Sequence, residues 1–265
     1  MKSFLPVPDP VAFKVFGFEI RWYAICIVLG IIAAVIICEK RTDLYGIRPK
    51  DKVLDLVLWV IPIGVVGARL YYCLFEWENY KDDPISILYI HQGGLAIHGG
   101  LLFGIATAII VTRRWKDDPV KWLDIIAPGI AIGQAIGRWG NYFNSEAHGT
   151  PTDLPWAIEV DGQLVHPTFL YESLWCLLLC IGLCIFEKKR KKRFDGQIFC
   201  LYVIIYSVER FFVEGLRTDS LWIGPLRQAQ VISVCCVVLG IAGYVLLKKR
   251  SLKIEKQEAQ KDEQQ

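Results

Sequence analysis

The stretch from Gly133 to Gly149, GQAIGRWGNYFNSEAHG, joins an apolar run to a dense polar cluster. The preceding residues, WLDIIAPGIAIG, are apolar enough to enter a membrane. Four polar side chains then follow: Arg138, Asn141, Asn144 and Glu146. A cap that satisfies the last carbonyl groups of a helix needs only one or two such side chains. The stretch therefore indicates the end of a membrane helix and a polar site at that end.

The rest of the chain repeats the apolar pattern. Of the 265 residues, 54% are hydrophobic, and they fall into long blocks instead of the short periods of a soluble domain. A helix of about 20 residues crosses the hydrocarbon core of a bilayer. Seven blocks approach that length: 20–38, 54–75, 95–112, 122–137, 168–186, 197–213 and 229–247. The sequence predicts an all-α polytopic membrane protein with seven transmembrane helices.

The basic residues predict the orientation of these helices. Of 30 lysines and arginines, 20 fall in four stretches: 39–52, 112–121, 187–193 and 248–256. Positive residues favour the cytoplasmic side, so we expect the amino terminus outside and the carboxyl terminus in the cytoplasm. These clusters at helix ends account for the net charge of +3 and suit membrane lipid, so no nucleic acid partner is expected.

The predicted organisation is one membrane domain with a short tail. Residues 1–247 form the domain, and the charged segment 248–265 lacks an apolar face and is predicted to be disordered. The longest outer connection, within about 138–168, contains Asp161-Gly162 between alternating apolar arms. This pattern predicts a small hairpin in an extracytoplasmic cap.

The sixth block carries charged residues at membrane depth, where each costs at least about 2.5–3.5 kcal/mol. Four residues share one helical face: Tyr206, Arg210, Glu214 and Arg217. An ion pair between Arg210 and Glu214 that only fixes helix packing would explain this face. The alternative is a guanidinium that faces a cavity, is held in place by Glu214 and binds an anion such as phosphate.

Other polar residues fall on the same predicted side of the membrane. His98 lies among glycines at the start of the third block, and Arg69 lies inside the second. Tyr23, at the start of the first block, is explained by default as an interfacial aromatic residue. Arg69, Arg138 and Arg217 are positively charged, and His98 can become so. Their convergence indicates an anionic, membrane-resident ligand. The simplest such ligand is a phospholipid headgroup.

Four motifs resemble the phosphatidylglycerol–prolipoprotein diacylglyceryl transferase family: HGGLLFG, GRWGNYFNSEAHG, HPTFLYE and YSVERFFVEGLR. They occur in this order, span nearly the whole chain, and include a form of the family signature GRxGNFxNxExxG. The resemblance implies a multi-pass transferase of the bacterial plasma membrane with its active site on the extracytoplasmic side. Such an enzyme moves a diacylglyceryl group from phosphatidylglycerol to the lipobox cysteine of a preprolipoprotein. A thioether forms and glycerol phosphate leaves.

The resemblance also implies roles for single residues. The catalytic residues would be His98, Arg210, Tyr23 and Tyr206, and Arg138 would bind phosphatidylglycerol. Further matching positions are Asn141, Glu146, Gly149 and Glu214. Arg217 joins the predicted substrate-binding set because it shares the polar face of the sixth block. The resemblance implies neither a metal nor a cofactor.

The sequence departs from the family pattern outside these residues. Ser145 stands where many members have glycine, His148 where an aromatic residue is frequent, and Ala229 where a glycine precedes a glutamine. These departures affect how the outer loops shape the entrance and leave every proposed catalytic group in place.

A chemical hypothesis connects these residues. The nucleophile would be the substrate thiol, which is mostly protonated at pH 7, so none of the nine cysteines of this chain is required for catalysis. His98 would accept the thiol proton. Arg138 and Arg210 would neutralise charge on the leaving phosphate, with Glu214 orienting Arg210 and Asn141 holding the headgroup.

Two other classes of protein share some of these features. An anion or lipid transporter also carries buried arginines and glycine-broken helices, but it predicts an internal inverted repeat, and none is visible. A zinc enzyme would use the histidines on the predicted outer side: His91, His98, His148 and His166. Their spacing matches no helical HExxH pattern.

Overall fold

The computed structural model describes residues 3–90, 93–189 and 193–262, and this part of the chain is mainly helical. It contains seven α-helices: α1 Trp22–Thr42, α2 Lys52–Phe75, α3 Ile97–Arg114, α4 Pro119–Phe143, α5 Thr168–Lys189, α6 Gln197–Leu216 and α7 Gln228–Asp262. Each lies on one of the seven predicted apolar blocks. By length and composition, four segments within the described ranges are long and apolar enough to cross a membrane: Trp22–Tyr45, Lys52–Phe75, Thr168–Lys189 and Gln228–Gln257.

Helix α7 is longer than predicted. It continues to Asp262, so the described part of the tail at 248–265 is helical where the sequence predicted disorder. Its lysine, glutamate and glutamine residues are good helix formers, and they extend a helix that has already been nucleated.

The described residues also form three short 3-10 helices, Asp43–Tyr45, Trp77–Asn79 and Pro84–Leu88, and three antiparallel hairpins. The hairpins are β1 Val11–Val15 with β2 Phe18–Arg21, β3 Ile158–Val160 with β4 Gln163–Val165, and β5 Trp222–Ile223 with β6 Leu226–Arg227. The second is the hairpin predicted at Asp161-Gly162, where both turn residues have positive φ, 50° and 76°. The turn favours glycine at its second position for this reason.

The chain divides into two compact units, residues 1–38 with 123–265 and residues 39–122. In the first unit, α1 runs antiparallel to α4 at very short range, because Gly133 faces Gly30 and Gly129 faces Cys38. Helix α5 is joined to α4 by the Ser173 hydroxyl, which donates to the Ala135 carbonyl at 2.7 Å.

The second unit is an antiparallel pair of helices, α2 and α3. Their backbones approach closely where Gly67 faces Gly99, because a side chain at Gly99 would overlap the Gly67 carbonyl oxygen. Lys52 and Asp117 form an ion pair of 2.9 Å at the other end of the unit. Small residues at a helix interface permit this close packing.

Asp124 connects the beginnings of α4 and α6. It is fully buried, and its carboxylate accepts hydrogen bonds from the backbone N–H groups of Gly196, at 2.8 Å, and Phe199, at 2.9 Å. The first N–H groups of a helix have no partner inside it, and the N-cap residue Gly196 has no side chain to supply one. A carboxylate from another helix therefore caps α6.

We predict that Asp124→Ala lowers the free energy of unfolding by about 2–4 kcal/mol, because two buried N–H groups lose their acceptor. The measurement is thermal unfolding of the purified protein in detergent. Asp153→Ala, at an exposed loop aspartate, is the matched control and should change stability by about 0.5 kcal/mol or less. Equal effects of the two substitutions would contradict the capping role.

Candidate functional site

A buried charged cluster forms where α4, α5 and α6 meet. Arg138 comes from α4, Glu172 from α5, and Arg210 and Glu214 from α6. Arg210 contacts Glu172 through Nη1 and Oε1 at 3.0 Å and Glu214 through Nη2 and Oε2 at 2.5 Å. Arg138 Nη2 forms an ion pair with the other oxygen of Glu172. One carboxylate thus bridges two guanidinium groups from different helices.

The cluster is only partly accessible. The side chains of Glu172 and Glu214 are 1% and 5% exposed, whereas Arg138 and Arg210 retain 21% and 16%. Buried ions require partners because their loss of hydration is expensive. The carboxylates satisfy that need, and the arginines are the more exposed members of the cluster.

Tyr206 places its hydroxyl beside Arg138, at 3.5 Å from Nη2. Its ring stacks on that of Tyr202, with centroids 5.8 Å apart, and the Tyr202 hydroxyl donates to Gln134 Oε1 at 2.9 Å. These contacts hold the Tyr206 ring against α4. A phenol in this position can hydrogen-bond to a ligand that approaches Arg138.

Arg217 follows the last residue of α6 and lies next to the Glu172 carboxylate. Its Nη1 lies 4.0 Å from Glu172 Oε1, and it makes two hydrogen bonds to Asp219, of 2.9 and 2.6 Å. The guanidinium donors hold the pKa of the Asp219 carboxyl below its usual value. Arg227, from β6, donates to the carbonyl groups of Glu214 and Arg217 and so secures this turn.

The end of α4 supplies the other polar residues of the signature. Arg138 and Asn141 both lie inside α4, which extends to Phe143, whereas the sequence placed them in the connection that follows. The Asn141 amide donates to Glu146 Oε1 at 2.8 Å, and Glu146 is exposed. The pair folds the chain back over the last turn of the helix.

The backbone of Gly149 joins the segment that follows α4 to the end of α6. Its N–H donates to the His166 carbonyl at 2.9 Å, and its backbone pairs with that of Arg217. A side chain at Gly149 would come within 2.6 Å of the His166 Cβ. Only glycine fits there, so its role is to allow close backbone contact beside Arg217.

Tyr23 contacts the signature through its ring. It lies in α1 with 37% of its surface exposed, and a side chain at Gly140 would overlap the ring. Gly140 lies two residues after Arg138 on α4, and residues at this spacing do not share a helix face, so this contact places Tyr23 on a different side of α4 from the charged cluster. The neighbouring Trp22 stacks on Phe143, with centroids 5.1 Å apart.

His98 belongs to the second unit, where it is exposed near the start of α3. Its ring centroid lies 6.2 Å from that of Tyr71 on α2. The structure thus brings together Arg138, Tyr206, Arg210, Glu214 and Arg217 around Glu172. Asn141, Glu146 and Tyr23 make other contacts, and His98 is described within the α2–α3 pair.

Arg69 contacts a loop and is not part of the group of arginines that the sequence predicted around a ligand. Its guanidinium donates to four backbone carbonyl groups of the segment before α3: those of Ser86, Ile87, Gly93 and Gly94, at 2.7–3.1 Å. These bonds use four of its five N–H groups, and the residue is buried. Arg69 therefore stabilises a loop.

The sequence did not identify Glu172 as a site residue. It lies in the HPTFLYE motif, one turn into α5, and the signal was available, because a carboxylate inside an apolar helix requires a partner or a function. Glu172 is the residue that joins Arg138 to Arg210.

The histidines show no metal-binding arrangement in the described residues. No group of three or more histidine, cysteine, aspartate or glutamate side chains is placed to hold a metal ion there. His166 contacts the Tyr171 hydroxyl at 3.1 Å, and His148 lies near the Gly149 carbonyl. His91 lies outside the described residues.

Comparison with known proteins gives matches over nearly the whole chain. The model of the prolipoprotein diacylglyceryl transferase family matches residues 10–246. Three relatives carry the name phosphatidylglycerol–prolipoprotein diacylglyceryl transferase. That of Finegoldia magna is 46% identical over 245 residues, covering 92% of this chain and 98% of the relative. That of Clostridioides difficile is 46% identical over 243 residues, with 92% and 97% covered. That of Clostridium kluyveri is 45% identical over 257 residues, with 93% and 100% covered.

We predict that Glu172→Ala lowers the free energy of unfolding by about 3–5 kcal/mol, because it leaves two partly buried guanidinium groups without their shared counter-ion. Glu78→Ala is the matched control, since it removes an exposed carboxylate paired with Lys81 and should cost at most about 1 kcal/mol. Thermal unfolding in detergent measures both. A Glu172→Ala protein as stable as the control variant would show that the bridge does not hold the helices together.

Proposed function

The chain belongs to the prolipoprotein diacylglyceryl transferase family, and from this membership we propose that it transfers the diacylglyceryl group of phosphatidylglycerol to the lipobox cysteine of a preprolipoprotein. The observation that carries the proposal is the buried bridge from Arg138 through Glu172 to Arg210. Guanidinium groups bind phosphate through parallel hydrogen bonds, and these two are neutralised by protein carboxylates until a lipid phosphate arrives.

The reaction balances with the substrates and the residues of this chain. The substrate thiolate attacks a glycerol carbon, a C–S bond forms, and the C–O bond to the phosphate breaks. The thiol proton passes to the imidazole of His98. The leaving phosphate gains one negative charge, which Arg138 and Arg210 stabilise in a site of low dielectric constant.

The remaining residues bind and orient the headgroup. Tyr206 hydrogen-bonds beside Arg138, and Tyr23 shapes the approach over Gly140. Asn141 contacts the glycerol headgroup, while Glu146 holds the Asn141 amide. Glu214 fixes the position of Arg210, and Arg217 adds a third positive charge next to Glu172. No step requires a metal or a cofactor.

The proposal includes a topology. All seven helices cross the bacterial plasma membrane, the amino terminus lies outside, and the charged cluster opens toward the extracytoplasmic side. The basic stretches at 39–52, 112–121, 187–193 and 248–256 support this arrangement through the preference of positive charge for the cytoplasm.

The decisive experiment combines purified protein, vesicles of phosphatidylglycerol and a synthetic lipobox peptide. We expect the peptide to gain the mass of one diacylglyceryl group for each glycerol phosphate released. A peptide with serine in place of its cysteine should yield neither product. Binding of phosphatidylglycerol without either product would favour a transporter and refute the transferase.

We predict that Arg138→Ala slows transfer by about 100-fold or more, because a preorganised donor to the leaving group is lost. Glu172 keeps its contact with Arg210 in this variant, so the protein should still elute as a single species in detergent. Arg114→Ala removes an exposed arginine at the end of α3 and should keep full activity. Full turnover by Arg138→Ala would exclude its assigned role.

We predict that His98→Gln abolishes transfer at every pH at which the protein is folded, because no other group is proposed to accept the thiol proton. The rate is measured with the same peptide between neutral and mildly alkaline pH. Recovery of the rate as the pH rises would show that ionisation of the thiol in water replaces His98. In that case His98 assists deprotonation without being indispensable.

A further inference from the structure

The hairpin of β1 and β2 has one apolar face and one charged face. Residues directly opposite in an antiparallel pair point to the same side of the sheet. The pairs Phe13 with Ile20 and Val15 with Phe18 therefore share one face, and the pair Lys14 with Glu19 lies on the other. We call the first set, Phe13, Val15, Phe18 and Ile20, the apolar face.

Among the residues that the structure describes, few pack against the apolar face. Phe18 is 76% exposed and Phe13 is 53% exposed. Phe16, at the tip of the turn with a φ of 48°, is 97% exposed. A large apolar side chain gains about 1.5–3 kcal/mol when it leaves water, and an isolated two-stranded hairpin is only marginally stable in water. The hairpin therefore requires another apolar environment.

The opposite face is polar. Lys14 Nζ and Glu19 Oε1 form an exposed ion pair of 2.8 Å. With Arg21, residues 11–21 carry two positive charges and one negative charge. This balance suits a surface that contains anionic lipid headgroups.

The hairpin continues directly into a membrane helix. Arg21 ends β2 and Trp22 begins α1, which is one of the segments apolar enough to cross a membrane. The Trp22 N–H donates to the Pro10 carbonyl at 3.1 Å, so the base of the hairpin is tied to the start of the helix. At about 3.3 Å per residue, the five residues of β1 reach roughly 16 Å from that point, so a hairpin that lies along the membrane surface keeps its tip at the depth of the start of α1.

We propose that the β1–β2 hairpin lies in the interface of the membrane that α1 spans, with its apolar face against the acyl chains and its charged face toward water. Aromatic side chains are favoured at this depth. The hairpin then acts as a second anchor beside the end of α1 and holds that end at a constant depth.

Photo-crosslinking from the full chain tests the proposal. Phe18→p-benzoylphenylalanine places a reactive group on the apolar face, Phe16→p-benzoylphenylalanine places it at the tip, and Glu19→p-benzoylphenylalanine is the matched control on the charged face. Each variant is reconstituted in vesicles with equal parts of phosphatidylglycerol and phosphatidylcholine, irradiated, and analysed by mass spectrometry for covalent lipid.

We expect several-fold more lipid adduct at positions 16 and 18 than at position 19. Equal labelling at positions 18 and 19 would overturn the proposal, because the two faces would then share one environment. An adduct at position 18 with a second copy of the chain or with added lipobox peptide, in place of lipid, would overturn it in favour of a protein contact. If Phe18→p-benzoylphenylalanine does not fold, the comparison of positions 16 and 19 decides, because Phe16 packs against almost nothing.

Discussion

The carboxylate of Glu172 neutralises two guanidinium groups inside a bundle of otherwise apolar helices, and the geometry of the first unit depends on it. Arg138 and Arg210 come from different helices, and each contacts one oxygen of this carboxylate. Charges at this depth are tolerated only in compensated groups. Helices α4, α5 and α6 must therefore assemble in the register that brings these three side chains together. The same requirement places two arginines on either side of one carboxylate.

The signature stretch has a structural part and a chemical part. Gly140 makes room for the Tyr23 ring and Gly149 for the His166 backbone, while Asn141 and Glu146 fold the chain over the end of α4. These contacts hold the carboxyl-terminal end of α4, the helix that carries Arg138. The only side chain of the stretch that enters the ion-pair cluster itself is that of Arg138.

The positions of the helices were predictable because a long apolar block has few stable structures other than a membrane helix. Arg210 and Glu214 were also predictable as neighbours, since a spacing of four residues is a property of a single helix. The bridge through Glu172 was not, because it joins separate helices and no local period relates their residues. Arg69 looked like a ligand-binding residue, since the sequence does not reveal that four loop carbonyl groups receive its donors. The helical tail of α7 lacks an apolar face, so its pattern alone did not distinguish helix from disorder.

Helices α4 and α6 are joined at two distant levels. Asp124 ties the start of α4 to the start of α6, and fourteen residues later the bridge through Glu172 and the contact of Arg138 with Tyr206 join them again. At 1.5 Å per residue these levels are roughly 20 Å apart. Helices α4 and α6 run parallel and are joined near both ends, so these contacts oppose both their separation and their sliding along each other. These two connections fix Arg138 and Arg210 relative to each other along the length of the pair, so a change of spacing between the two guanidinium groups would first have to break one of them.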